Sequence, residues 1–355
     1  MVPTLAEINN EEGSNMSYLR NAWYLAAWDY EVRDKPLGRL IAEQPIVIFR
    51  QSNGELCATG DRCPHRFAPL HMGKVVGDAI ECPYHGLRFG AGGQCVHNPH
   101  GDGRISSRAK VPGYSIVERH RGVWIWLGNQ ERADVALIPD YSIVDSAPDT
   151  AVVQDYLRAE ANYQLLTDNV LDLTHADYVH AGSLGNGGVT KTLPKVWEED
   201  DAIFAHWWIA NDMAVPSLAN ELPDPEAPTD QWLEVKWNAP GNMSLRVGAT
   251  PTGRPREEGI DSTSLHIMTP ETANSTHYFF ANARQFRVDD PAINEVLKGI
   301  IANQFLGEDK PILEAQQKMM GTTDLFDLKP VFLPQDAAAV RARRKLDAMC
   351  AEENQ

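Results

Sequence analysis

Cys63-Pro64-His65 and, after sixteen intervening residues, Cys82-Pro83-Tyr84-His85 set the pattern C-x-H…C-x-x-H. Each half puts one thiol and one imidazole on a tight loop stiffened by a proline. Two such loops, facing each other across a β unit, offer two sulfurs and two nitrogens. A tetrahedral zinc is the competing use of the same donors, but zinc loops more often pair like with like, as C-x-x-C or H-x-x-x-H. The flanking sequence is strand-rich. Leu40-Ile41, Pro45-Ile46-Val47-Ile48-Phe49 and Gly122-Val123-Trp124-Ile125-Trp126-Leu127 are β runs, punctuated by Gly73, Gly77, Gly86, Gly90, Gly92-Gly93 and Pro99. Short strands with regular turn signals predict a small all-β unit.

Continued through Arg66 and Gly86, the two loops resemble those of a Rieske [2Fe–2S] domain. The resemblance implies that Cys63 and Cys82 hold one iron and His65 and His85 the other. Two neutral imidazoles in place of two thiolates remove negative charge, so such a cluster has a potential well above that of a four-cysteine ferredoxin. His97-Asn98-Pro99-His100-Gly101 resembles the third loop, which covers the cluster. Cys57, Cys95 and Cys350 match no ligand and read as packing or surface thiols.

Composition sets the outer limits. The chain has 355 residues, a prior of two domains, perhaps three, at roughly 150 residues each. Hydrophobic residues are 43% and charged residues 23%, an ordinary globular balance. The net charge of −17 argues against nucleic acid or an anionic membrane as partner. Five cysteines are too few for a disulfide scaffold, and a reducing, cytoplasmic setting is expected. No apolar stretch reaches bilayer length. Residues 1–15 are polar and acidic, carry no secretory-signal pattern and are expected to be disordered, with Met16 as an alternative start. The all-β cluster domain is placed over residues 16–131 and a second domain over 132–355.

The second domain reads differently. Leu165, Leu166, Val170, Leu171 and Leu173 give Tyr163–His180 a helical pattern. Ile203–Trp208, Leu233–Trp237 and Thr276–Phe280 alternate as strands of an antiparallel sheet. Asp289-Asp290-Pro291 opens a helix that runs through Ile293, Val296, Leu297, Ile300, Ile301 and Phe305 towards Leu313. A last helix covers about Gln335 to Met349. The class is therefore α+β: an all-β domain, then an antiparallel sheet with helices (helix-grip-like). The nine tryptophans are expected mainly at the sheet–helix interface.

Within Tyr163–His180 lies Asn169-x-x-Asp172-x-x-His175-x-x-x-x-His180. Histidines five apart do not stack on one helical face as an i, i+4 pair does. A kinked or ending helix brings both towards one metal, and Gly182 fits a helix end. Two histidines and one carboxylate on one face of Fe(II) leave positions open for O2 and substrate. Helix capping or solvent exposure is the alternative for the two histidines.

This spacing resembles the catalytic domain of Rieske non-heme iron oxygenases, most closely the vanillate and dicamba O-demethylase branch. His266-Ile267-Met268-Thr269-Pro270-Glu271-Thr272 and His277-Tyr278-Phe279-Phe280 share in the likeness. The resemblance implies that the third ligand of the mononuclear iron comes from Leu306-Gly307-Glu308-Asp309-Lys310-Pro311, with Asp309 first and Glu308 second. It implies that Asp172 bridges His175 and the cluster ligand His85 of a neighbouring subunit, in a homotrimer, and that Asn169 supports the site. It implies electrons from NADH through a flavin- or ferredoxin-type reductase, O2 as co-substrate, and O-demethylation of a methoxylated aromatic acid with release of formaldehyde. Leu171, Ser244, His266 and Ile300 are the expected pocket residues, His266 as a hydrogen-bond donor to a carboxylate or ether oxygen. His206 and His277 read as core or surface residues.

Ring hydroxylation, cis-dihydroxylation and N-demethylation are the alternatives within the same machinery. A Rieske electron carrier with a non-catalytic appendage, and a zinc-binding module, are alternatives outside it. Charge is unevenly spread: residues 61–121 hold nine Lys/Arg against five Asp/Glu, a net +4, which leaves −21 elsewhere. A basic collar around the cluster would dock an acidic electron-transfer domain.

Overall fold

The computed structural model describes residues 18–354. The expected disordered tail over residues 1–15 lies outside them. The chain opens with strands β1 (Trp23–Trp28), β2 (Leu37–Ile41), β3 (Gln44–Arg50) and β4 (Leu56–Gly60). Short strands β5 (Lys74–Val76), β6 (Ala79–Glu81), β7 (Arg88–Phe89) and β8 (Cys95–His97) follow, then β9 (Gly113–Arg119) and β10 (Gly122–Trp126). They form a six-stranded sheet, β1-β10-β9-β4-β3-β2, and a four-stranded sheet, β5-β6-β7-β8. The cluster loops leave and enter the smaller sheet.

The second half is one seven-stranded antiparallel sheet, ordered β11-β17-β16-β15-β14-β13-β12. Its strands are β11 (Val152–Ala159), β12 (Lys195–Glu199), β13 (Ala202–Asp212), β14 (Thr229–Asn238), β15 (Asn242–Pro251), β16 (Ile260–Thr272) and β17 (Ser275–Arg284). Every residue of β17 is buried, because both its faces are covered. Tyr278 and Phe280 point into the core shared with the helices, whereas Phe279, Ala281 and Ala283 point into a core shared with β1 and β10.

That second core contains Trp23, Trp28, Trp124 and Trp126. Much of the tryptophan thus fills a sheet–sheet interface between the two halves, not the expected sheet–helix one. Flat strand faces leave a gap of about 10 Å that large rings fill. Trp28 meets Phe279 edge-on at 5.9 Å and donates its indole N–H to the Asp155 carbonyl at 2.8 Å. Backbone bonds from Ala42 and Glu43 to the carbonyls of Pro270 and Glu271 add a polar seam. His277 belongs to this seam: its Nε2–H donates to the Leu40 carbonyl at 2.9 Å.

Helices α1 (Tyr163–Leu171), α2 (Ala176–Val179), α3 (Ala292–Ile301), α4 (Lys310–Met320) and α5 (Ala337–Glu353) cover the other face of the large sheet. Arg343 on α5 grips the Asp168 carboxylate through Nε and Nη2 at 2.8 and 2.7 Å, fixing α1. Among the described residues, no helix is long and apolar enough to cross a membrane.

Candidate metal centres

The two cysteine loops have the same backbone geometry. The Phe67 amide donates to the Cys63 carbonyl (2.8 Å) and the Gly86 amide to the Cys82 carbonyl (3.1 Å). Each loop turns through a left-handed residue four positions after its cysteine, Phe67 at φ 60° and Gly86 at φ 71°. A phenylalanine there costs roughly 1–2 kcal/mol that glycine does not. The loops bring the His65 and His85 rings to 4.5 Å and bury both thiols, while His65 faces solvent. Burial pushes the Cys63 thiol up to about 11, against the pull of the His65 and Arg66 backbone amides on its sulfur. Paired buried sulfurs with amides aimed at one of them, opposite paired imidazoles, fit an iron–sulfur cluster. The third loop is in place: His100 Nε2–H donates to the His85 carbonyl at 2.8 Å. Cys57 and Cys95 pack in the small core behind the loops, and Cys350 packs in the main core.

The second centre is assembled from distant segments. Asp172 breaks the helix after α1, at φ −120° and ψ 94°. Its Oδ1 accepts from the Thr174 amide (3.0 Å) and hydroxyl (2.7 Å) and so caps the next turn. A 3-10 turn, Leu173–His175, then α2, carry His175 and His180 round until their rings stand 5.2 Å apart. From the far end of the chain, α3 runs into a wide π-helical segment, Ala302–Asp309, before α4. Pro311 cannot donate to the Gly307 carbonyl and crowds it, which disfavours the tighter α pattern there. The expected single helix is therefore continuous but widened, and the widening delivers Glu308 and Asp309 to the histidines.

One ligand atom each from His175, His180 and Asp309 falls within a common 4.8 Å. His180 Nε2 lies 3.1 Å from Asp309 Oδ2, and His175 Nε2 lies 3.7 Å from Asp309 Oδ1. The outer nitrogens are already engaged. His175 Nδ1–H donates to the Asp172 backbone carbonyl (2.7 Å) and His180 Nδ1–H to Glu308 Oε2 (2.6 Å). Each ring thus presents Nε2 inward, as a metal requires. Asn169 Nδ2 supports Asp309 Oδ1 at 3.4 Å, and Asn303 Nδ2 holds the other oxygen of Glu308 at 3.0 Å. Burial works to lower the pKa of His180, but the hydrogen bonds to Asp309 and Glu308 outweigh it and raise it. The spot favours positive charge, and a divalent cation fits it.

Glu308, the second choice for a ligand, is instead the partner of His180. Within the chain, His175 is held by the carbonyl of Asp172, not by its carboxylate. Neither detail has a signal in residue spacing, since both depend on where the π-helical segment and the helix break point their groups.

A cavity of about 190 Å³ ends on His175, His180 and Asp309. Its walls are mostly apolar, with Val170, Leu184, Val247 and Leu297 among them, and no lysine or arginine lines it. Of the four residues expected at the substrate pocket, His266 and Ile300 line this cavity. Ser244 and Leu171 do not. Ser244 pairs with Leu265, whose side chain faces the interdomain core, so strand alternation puts Leu245 and Val247 on the cavity side. Leu171 is fully buried in the helical core, and Val170 and Leu173 take the cavity positions. His266 Nδ1 lies 2.6 Å from the Tyr278 hydroxyl. Asn282 and Gln304, absent from the sequence-based set, also line the cavity.

A second opening of about 320 Å³ reaches His175 from the opposite side, past Asp172, Ile312, Val331 and Phe332. It lies beside exposed apolar side chains, Val331 at 89% and Leu333 at 60%. Exposed apolar residues also surround the cluster loops, Phe67 at 67% and Tyr84 at 62%.

Comparison with known proteins gives a consistent picture. The Rieske [2Fe-2S] domain family matches residues 22–114, and the vanillate O-demethylase oxygenase C-terminal domain family matches residues 159–352. The chain is 39% identical over 335 residues to the oxygenase component of dicamba O-demethylase from Stenotrophomonas maltophilia, covering 94% of this chain and 98% of that one. It is 38% identical over 332 residues to the oxygenase component of chloroacetanilide N-alkylformylase from Rhizorhabdus wittichii, covering 93% and 95%. The crystal structure of dicamba monooxygenase bound to 3,6-dichlorosalicylic acid superposes with a TM-score of 0.90 at 38% identity, covering 96% and 99%. A form of that enzyme with non-heme iron and dicamba gives 0.81 at 36% identity over the same shares.

Proposed function

Because the chain belongs to the Rieske non-heme iron oxygenases, in the branch of the vanillate and dicamba O-demethylase oxygenase components, we propose that Cys63, Cys82, His65 and His85 hold its [2Fe–2S] cluster and that His175, His180 and Asp309 hold its mononuclear iron. The protein is a terminal oxygenase, and it acts with a reductase or ferredoxin partner on an aromatic substrate. The reading is O-demethylation of a methoxylated aromatic acid. One atom of O2 enters a methyl C–H bond and the other leaves as water, with two electrons from NADH through the reductase and two protons, one released by NADH and one from solvent. The hydroxylated methyl ether then collapses to a phenol and formaldehyde. The observation that carries this is the apolar cavity that ends on two inward-facing imidazole Nε2 atoms and one carboxylate.

When bound, the mononuclear iron activates O2 and the cluster stores and passes the electron. The chain's own residues do the rest. Asp172 and Glu308 hold the imidazoles with Nε2 inward, and Asn169 steadies Asp309. The apolar walls exclude water and hold the substrate beside the metal. His266 is buried and neutral, its pKa pushed down to about 3 by burial, so it offers a hydrogen bond and no charge.

The assembly we infer is a homotrimer in which the cluster of one subunit docks at the Asp172 opening of the next. Two exposed apolar surfaces, one at each end of the electron path, support it. The Asp172 carboxylate would then meet His85 of the neighbour and join the two centres. Arg62, Arg66, Arg108 and Lys110 are exposed and form the basic collar for the electron donor, with Lys74 and Arg104 beside them, exposed but paired with Glu81 and Asp102. Arg88, Arg119 and Arg121 bind Glu81 and the connecting segment, which takes them out of the collar. The domain boundary lies at 131/132, and the location is cytoplasmic.

O2 uptake by the holoenzyme with a competent reductase, across methoxy-, methyl- and N-methyl-aromatics, tests the reading. Formaldehyde released in step with O2 supports it. No stimulation by any aromatic ether sinks it. N-dealkylation is the second reading, favoured by the likeness to the N-alkylformylase component, and the N-methyl arm reports on it.

A further inference from the structure

Asp177 stands on α2 between His175 and His180, two of the groups proposed to hold the mononuclear iron. Its carboxylate is not one of the converging ligands. Both oxygens are instead taken by the loop that follows. Oδ1 accepts from the backbone amides of Asn186 (3.1 Å) and Gly187 (2.8 Å), and Oδ2 from the amide (2.8 Å) and hydroxyl (2.6 Å) of Thr190. A carboxylate offers about four acceptor sites, so one loop fills them all. These bonds also satisfy amides at the start of the short turn Gly188–Lys191, which the turn itself cannot pair.

The same loop is pressed onto the ligand-bearing turn at two further points. The His180 carbonyl accepts from the amides of Ser183, Leu184 and Gly185 at 3.1–3.2 Å. Gly185 lies so close to the Ala176 carbonyl that a Cβ there would stand 2.2 Å from its oxygen. On its far side the loop supplies Leu184 and Val189 to the cavity wall. α2 itself is a single turn of four residues. A turn that short has no cooperative stability of its own, so it cannot by itself hold two imidazoles in a fixed relation. The loop supplies that rigidity.

Resting on the oxygenase reading above, we propose that Asp177 is a positioning residue for the mononuclear iron: it clamps the 181–190 loop to α2 and thereby fixes the backbone spacing of His175 and His180. Glu308 and the Asp172 carbonyl set how each ring is turned. Asp177 sets the distance between the segments that carry the rings. The two jobs are separate, because a ring can be correctly turned while its backbone drifts, and a metal site tolerates only about 0.5 Å of such drift. Asp177→Asn keeps the side chain's volume but turns one acceptor into an N–H2 donor. That donor faces backbone N–H groups on either side, so neither can pair.

The test titrates the full, cluster-loaded chain with Fe(II) against a chelator, at a temperature where the iron-free chain is folded. Wild type is compared with His180→Ala, Asp177→Asn and Thr190→Val. Thermal unfolding of the iron-free chains and the visible spectrum of the cluster are recorded alongside. Wild type holds Fe(II) that His180→Ala loses. Asp177→Asn weakens that binding about tenfold or more, the range for loss of a group that orients a metal ligand, with the cluster spectrum unchanged. Thr190→Val removes a single bond, weakens binding about threefold, and decides the matter if Asp177→Asn does not fold. A lower unfolding temperature with iron affinity within about twofold of wild type marks a staple of the fold and no more. That result overturns the inference and leaves the oxygenase reading in place. Iron that survives His180→Ala overturns the reading of the site, and the inference with it.

Discussion

The two centres differ in how the chain builds them. Every proposed donor of the cluster lies within 23 residues, on two loops of matching geometry, with His65 open to solvent. The mononuclear site draws on residues more than 130 positions apart, buries His180 and Asp309, and depends on a helix break and a π-helical segment for its shape. A local site is specified by loop chemistry and tolerates exposure, because its job is to meet a partner. An assembled site is specified by packing, because its job is to hold substrate and O2 away from water.

The largest effects should separate the two. Cys82→Ser is expected to abolish the cluster's visible and EPR signals while the mononuclear iron still loads. His180→Ala should do the reverse, with turnover lost in both. Metal analysis together with EPR checks this, and loss of both metals in either variant would break the distinction.

Next comes the link between them. Asp172→Asn leaves the backbone carbonyl that holds His175 and should retain both metals, yet lower turnover by about 100-fold, the upper end for loss of a group that orients a metal ligand, here the carboxylate proposed to meet His85 of the neighbouring subunit. Single-turnover oxidation of the reduced cluster is the informative readout, and a wild-type rate would sink the bridge. Glu308→Gln should be milder, weakening mononuclear iron affinity about 10–100-fold through looser control of His180 while leaving the cluster spectrum unchanged. Iron competition with a chelator measures it, and a lost cluster signal would contradict a role confined to His180.

The smallest effect concerns the seam between the halves. Burial lowers the pKa of His277 from 6.5 to about 4. Between those values the unfolded chain binds a proton at this residue and the folded chain does not, so stability falls as pH drops from 6.5 towards 4. The loss is roughly 3 kcal/mol over that window for His277 alone. His277→Gln should flatten that part of the stability curve in urea unfolding, and an unchanged slope would show that the seam does not set acid stability.

The cluster loops were legible because their donors, prolines and left-handed turn position are local in sequence. His175 and His180 were legible as residues, and Asp309 only through resemblance, since nothing in its neighbourhood marks it apart from Glu308. The pocket was half legible. His266 and Ile300 sit on the cavity, but Ser244 missed it by one position, because a single strand step reverses the face.

Sequence alone marked out the candidate metal-binding cysteines and histidines and determined that an all-β domain precedes an antiparallel sheet with helices, because these follow from donor chemistry and from periodicity within short windows. Tertiary structure alone decided that Asp309 turns to the histidines and Glu308 to the back of His180, that the carbonyl of Asp172 holds His175, and that Asn282, Gln304 and His266 share one cavity. Those outcomes depend on helix widening, strand register and the packing of one half on the other, which are set by contacts between residues far apart in the chain.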